Sequence, residues 1–182
     1  MGLFNSNLSA LYREVVLDHA RQPRNQRKLA QPSHQMELLN PTCGDALMVQ
    51  IAVEQDQIID MAFTGYGCSI SIASASMMTE ALIGLSVTQA LRLIAYFNQL
   101  VGGTMISDTA EQHQTDLEML EDTLKDAVLL EGVKQFPGRY KCAVLAWKAA
   151  EASFLPDAAA DGRPSRMTEV RSHHEKGGVA NE

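Results

Sequence analysis

Leu47, Val49, Ile51 and Val53 alternate with other residues, and only a short polar link at 54–57 separates them from a second extended stretch, Ile58-Ile59-Asp60-Met61-Ala62-Phe63. Apolar residues at every second position read as a strand with one buried face. Two such stretches joined by a few polar residues read as a hairpin. A lone hairpin is marginal in water, so these strands need further cover. Residues 35–39 offer a third strand, and the rest of the chain offers helices.

The helical signals lie on both sides of the hairpin. Leu8, Leu11, Tyr12, Val15, Val16 and His19 share one helix face, predicting a helix from about Ser6 to Arg21 that stops before Pro23. A segment from about Ser69 to Ile83, rich in small residues and methionine, ends at Gly84. Ser86 and Gln89 form a capping box, followed by Ala90, Leu93, Ile94 and Phe97 on one face. Thr115 and Glu118 suggest a second capping box, before Leu117, Leu120, Leu124 and Val128. A last helix follows Pro137 and Gly138, with Tyr140, Ala143, Val144, Trp147 and Phe154 on one face. Strands early and helices afterwards predict an α+β fold: a small antiparallel three-stranded sheet packed against several helices. Residues 1–156 are expected to form one domain. Residues 157–182 turn to Asp, Gly, Arg, Pro, Ser, His and Lys, and are read as a disordered C-terminal tail.

The net charge of -7 argues against general nucleic-acid binding, which needs excess Lys and Arg. No apolar run approaches the roughly 20 residues of a membrane span, and no signal peptide is recognisable. Three cysteines cannot form a complete disulfide set, which predicts a reducing, cytoplasmic setting. Gly65-Tyr-Gly67 lacks the remaining features of a nucleotide loop. The basic cluster Arg21, Arg24, Arg27 and Lys28 reads as solvated surface more readily than as a docking patch. His19 is expected to be a packed edge histidine, His173 and His174 solvated, and Met77 and Met78 core.

The cysteines carry the chemistry. Cys43 lies in the turn-forming Asn40-Pro-Thr-Cys-Gly-Asp45, just before a strand. In an extended segment residues i and i+2 point the same way, so Cys43 and Asp45 can offer sulfur and oxygen to one point. Cys68 sits between a strand and a helix, and Cys142 in the first turn of the last helix, where a helix start favours thiolate. All three thiols thus fall at the ends of elements, which can converge at one edge of a sheet. Three thiolates and a carboxylate suit zinc or an iron–sulfur cluster, and Arg139 or Lys141 could offset part of their negative charge. Against this, a lone cysteine is usually a small buried hydrophobe, and the long separations match no zinc-finger spacing.

The segments Leu11-Tyr-Arg-Glu-Val-Val-Leu-Asp-His19, Pro23-Arg-Asn25, Asn40-Pro-Thr-Cys-Gly-Asp45, Gly65-Tyr-Gly-Cys-Ser-Ile-Ser-Ile-Ala-Ser-Ala-Ser-Met-Met-Thr-Glu80 and Gly132-Val-Lys-Gln-Phe-Pro-Gly-Arg-Tyr-Lys-Cys-Ala-Val-Leu-Ala-Trp147 resemble the SufU branch of the U-type iron–sulfur assembly family. They stand in that family's order across residues 8–155. The resemblance implies that Cys43, Asp45, Cys68 and Cys142 are metal ligands. IscU-type scaffolds carry a histidine just before the last cysteine, where this chain has Lys141. The stretch between Phe97 and Gly132 also resembles an insertion of the SufU branch. That branch implies zinc, and a sulfurtransferase-like role in accepting persulfide from a SufS-type cysteine desulfurase. A SufBCD-type scaffold complex would lie downstream. Cys43, in its turn, is the expected acceptor, Cys142 the second choice, and Arg139 a supporting cation. The alternative is a scaffold for a transient [2Fe–2S] cluster, with iron at the same residues.

Overall fold

A computed structural model describes residues 2–102, 113–155 and 168–169. The chain begins with helix α1 (Gly2–Arg21). Strands β1 (His34–Asn40), β2 (Asp45–Glu54) and β3 (Gln57–Tyr66) follow as an antiparallel meander. Helices α2 (Ser69–Leu82), α3 (Val87–Gly102), α4 (His113–Leu124) and α5 (Tyr140–Ser153) complete the α+β architecture. Two 3₁₀ segments, Lys125–Gln135 and Pro137–Arg139, join α4 to α5. A two-residue β4 (Thr168–Glu169) lies parallel to β1, with Leu38 opposite Thr168. The expected tail at 157–182 otherwise lies outside the described residues. Among the described residues no helix is long and apolar enough to cross a membrane.

The β2–β3 turn consists of Gln55 and Asp56, both with positive φ (48° and 66°). This is the primed geometry whose twist matches the flanking strands. The register is irregular near Val53: Ala52 faces Asp60 while Val53 faces Ile58. Ile59 is the extra residue of a β-bulge, and it is exposed while Ile58 and Met61 are both buried. The bulge therefore explains why strict alternation fails along β3. Across the sheet Leu38 meets Leu47, Met36 and Phe63 flank Val49, and Met61 meets Ile51, all on one buried face.

That face packs against α5, which also touches α2 and α3 and so lies at the centre of the molecule. Cys142 through Trp147 are buried without interruption, as befits a helix covered on every side. Trp147 stacks on Phe97 of α3 with ring centroids 3.9 Å apart. Helix α2 is also buried nearly all round, and its small residues let α1 and α5 approach. Its hydroxyls are satisfied individually. Ser74 donates to the Ala143 carbonyl and accepts from Trp147 Nε1 at 3.0 Å. Ser76 accepts from the Arg24 amide at 2.8 Å and bonds His19 Nδ1 at 2.8 Å. His19 is fully buried rather than at an edge, with Nε2 3.1 Å from Asp126 Oδ2.

The box of Ser86 and Gln89 forms reciprocally: Ser86 N donates to Gln89 Oε1 at 3.0 Å and Gln89 N to Ser86 Oγ at 3.2 Å. The second box does not form an entry cap, because α4 already begins at His113 and Thr115 lies inside it. Nor does the helix run on through Val128. Lys125 takes a positive φ of 52°, its ammonium binds the Glu80 carbonyl, and a 3₁₀ segment follows. The buried residues there are Leu124, Ala127, Leu130 and Val133, a period of three that suits 3₁₀ winding. Of the basic cluster, Arg24 pairs with Asp18 at 2.7 Å and Arg27 grips Asp60 at 2.7 and 2.9 Å. Both are surface pairs within the chain, in keeping with solvated surface.

Candidate metal centre

The site is built at the sheet end where β1 turns into β2. Asn40 closes β1 and faces Asp45, which opens β2. Between them Asn40 organises the turn. Its carbonyl accepts from Gly44 N at 2.8 Å and Cys43 N at 3.3 Å, and its Oδ1 from Thr42 N at 3.2 Å. Such side-chain turns are typical of asparagine. Gly44 takes φ 73°, a left-handed conformation that costs glycine nothing. The turn leaves Cys43 exposed while Asn40 and Asp45 are buried.

The opposite wall comes from the β3–α2 junction. Gly65 has φ 120°, and a Cβ there would stand 2.1 Å from the Ala46 carbonyl oxygen. Only glycine allows β2 and β3 to close at this point. Cys68 is the N-cap of α2 in extended conformation, yet its side chain makes no capping bond. Asp45 does the capping from across the sheet. Its Oδ1 accepts from Cys68 N at 3.0 Å and its Oδ2 from the buried Ser71 hydroxyl. A carboxylate at a helix N-terminus is favoured by orphan amides and the helix dipole.

The third wall is the first turn of α5. Cys142 Sγ lies 3.2 Å from Cys43 Sγ and 3.6 Å from Asn40 Nδ2. Donor atoms of Cys43, Asp45 and Cys142 all fall within 4.8 Å of one another. The Cys68 thiol is not part of that threesome and stands 3.5 Å from Ser71 Oγ. Of the four expected ligands the fold therefore gathers three, with Cys68 alongside, tied to Asp45 through its backbone.

Electrostatics correct one expectation. The helix start was expected to favour thiolate at Cys142. Instead its thiol is pushed far above the ordinary range, first by burial, then by its bond to Cys43 and the nearby charges of Cys68 and Asp45. One helix end cannot outweigh desolvation and three neighbouring acids. Arg139, fully exposed at the entrance to α5, is the counter-cation. Its guanidinium is held further protonated by a bond to Cys142 and by the charges of Cys68, Cys142 and Cys43. Sulfur and carboxylate donors crowded this closely suit a divalent cation, whose charge reverses the local preference and makes thiolates the stable form. The residues present thus fit zinc.

Two site residues went unrecognised in the sequence. Asn40 was read only as the start of the turn-forming segment around Cys43, and its link to Cys142 spans 102 residues. Ser71 looked like one more small residue of α2, although its position three beyond Cys68, at a helix start, was a usable signal.

Residues 11–143 match the model of the NifU-like N-terminal domain. The chain is 40% identical over 148 residues to the zinc-dependent sulfurtransferase SufU of Bacillus subtilis, covering 81% of this chain and 92% of that protein. It is 41% identical over 144 residues to the iron–sulfur cluster assembly scaffold protein IscU of Streptococcus pyogenes, covering 79% and 82%. The crystal structure of FiSufU from Fervidobacterium islandicum aligns with a TM-score of 0.66 at 27% identity, covering 77% of this chain and 93% of that one. With its fold and the Cys43–Asp45–Cys142 cluster on the family's framework, the chain belongs to the NifU-like N-terminal domain family.

Proposed function

We propose that this chain is an iron–sulfur cluster assembly protein that accepts persulfide sulfur from a SufS-type cysteine desulfurase. It would hold zinc through Cys43, Asp45, Cys68 and Cys142. The observation that carries this reading is the contact of an exposed thiol, Cys43, with a buried one, Cys142, beside a buried carboxylate. Zinc at these residues would keep its thiolate ligands deprotonated at neutral pH.

Cys43, on its exposed turn, is the thiol an incoming active-site loop can reach. Once released as thiolate, it attacks the outer sulfur of the desulfurase persulfide. A new bond forms between Cys43 Sγ and that sulfur, the enzyme's own S–S bond breaks, and the enzyme cysteine leaves as thiolate. The Arg139 guanidinium, already drawn to the three thiols, steadies the anionic persulfide. Asp45 keeps the α2 start and the β1–β2 turn in register while Cys43 moves. The sulfur then passes toward a SufBCD-type scaffold in a reducing cytoplasm. Adding the chain to a SufS-type desulfurase should raise alanine formation from cysteine; an unchanged rate at saturating protein contradicts the reading.

A second reading, a scaffold for a labile [2Fe–2S] cluster, is favoured by Asp45 itself, since a carboxylate is a more exchangeable iron ligand than thiolate. On that reading Asp45→Ala should retain a reconstituted cluster longer than the native chain. Equal lifetimes followed by visible absorption leave sulfur transfer as the function.

A further inference from the structure

The 3.2 Å contact between Cys43 and Cys142 brings together two thiols of opposite accessibility. Cys43 lies at the tip of a turn where a donor can load it. Cys142 is fully buried, so the group it can reach is whatever Cys43 carries. Cys68 Sγ stands 3.5 Å from Ser71 Oγ. An exposed thiol that receives sulfur and a buried one behind it correspond to the attacking and resolving pair of thiol–disulfide chemistry.

There is also a mismatch of oxidation level. A persulfide carries sulfane sulfur, whereas an iron–sulfur cluster contains sulfide, two electrons more reduced. Those electrons must come from somewhere, and the dithiol in contact at this site can supply them.

We propose that Cys142 is the resolving residue that discharges the Cys43 persulfide as sulfide. This rests on the reading that Cys43 carries sulfur. The Cys142 sulfur attacks Cys43 Sγ, forming a Cys43–Cys142 disulfide, while the bond from Cys43 Sγ to the outer sulfur breaks. The outer sulfur leaves with the bonding pair and takes the proton released by Cys142, departing as hydrosulfide. The two thiol sulfurs are oxidised by two electrons in total and the sulfane sulfur is reduced by two. Arg139, the N-cap of α5 three residues before Cys142, provides the positive charge beside the departing anion. An external dithiol reductant of the thioredoxin class then resets the pair. A Cys142 sulfur engaged on a metal cannot attack, so a bound metal preserves the persulfide for relay and its loss commits the sulfur to release.

The test uses the full chain, stripped of metal by chelator and loaded with sulfur in two parallel ways: by desulfurase with cysteine, and by inorganic polysulfide. After desalting without reductant, free sulfide is measured colorimetrically and the chain by intact and peptide mass. The native chain should release about one sulfide per persulfide and end with a peptide cross-link between Cys43 and Cys142. Cys142→Ser should hold the added sulfur at least about tenfold longer, and zinc added before loading should suppress release. A native chain that keeps its added sulfur after polysulfide loading, with no cross-link, overturns the proposal without needing the variant. Failure of the desulfurase to load the zinc-bound chain, when polysulfide loads the metal-free one, overturns the proposed function instead.

Discussion

Replacing Cys43 with alanine is expected to reduce desulfurase turnover to the rate of the enzyme alone, with the fold intact. The side chain is exposed, so its loss removes no core packing. The turn that carries it is held by Asn40 and Gly44, whose bonds use the backbone of residue 43 and not its thiol. Stability of the metal-free chain should therefore change by less than about 1 kcal/mol. Sulfur acceptance should vanish, because Cys142 is buried and Cys68 is only partly exposed, so neither presents an equivalent nucleophile. Alanine formation followed beside a denaturation curve separates the two effects. Full stimulation by the variant would remove Cys43 as the acceptor.

The largest effect on stability is expected at Trp147. Its indole is fully buried and stacked on Phe97. Its Nε1 donates to Ser74 Oγ, and Ser74 in turn donates to the Ala143 carbonyl. Trp147→Ala should cost about 3–5 kcal/mol, from lost transfer energy and the cavity left behind. The damage reaches the site, because α5 carries Cys142 as well as Trp147 and is the element in contact with β1, β2, α2 and α3. Metal affinity should therefore fall even though Trp147 touches no ligand. The chain has a single Trp, so urea unfolding is best followed by circular dichroism rather than by fluorescence. A loss below about 1 kcal/mol would mean that the core repacks around the gap.

Local chemistry was legible in the sequence. The β2–β3 hairpin, the box of Ser86 and Gln89 and the turn around Cys43 are each decided by a few adjacent residues, and each forms as expected. The placement of the cysteines at element ends was legible for the same reason. What escaped depends on contacts distant in sequence or on a less common period. The bulge at Ile59 shifts the alternation by one residue, which no pattern of apolar residues signals in advance. Leu124 and Val128 were read at helical spacing, whereas burial from Leu124 to Val133 repeats every three residues. His19 continued an apolar face, but its partners Ser76 and Asp126 come from α2 and the 3₁₀ segment. The thiol of Cys142 was judged by its helix start and the nearby cations, and burial among other acids decided otherwise. Asn40 and Ser71 belong to the site only because β1, α2 and α5 meet there.

The measurement that bears most directly on the metal centre is zinc content by elemental analysis, on native chain purified without chelator and on Cys142→Ala. The donors of Cys43, Asp45 and Cys142, all within 4.8 Å of one another, predict about one zinc per native chain and loss of most of it in the variant. Iron with acid-labile sulfide in place of zinc would contradict a zinc centre and favour the scaffold. An unchanged zinc content in Cys142→Ala would contradict the site itself.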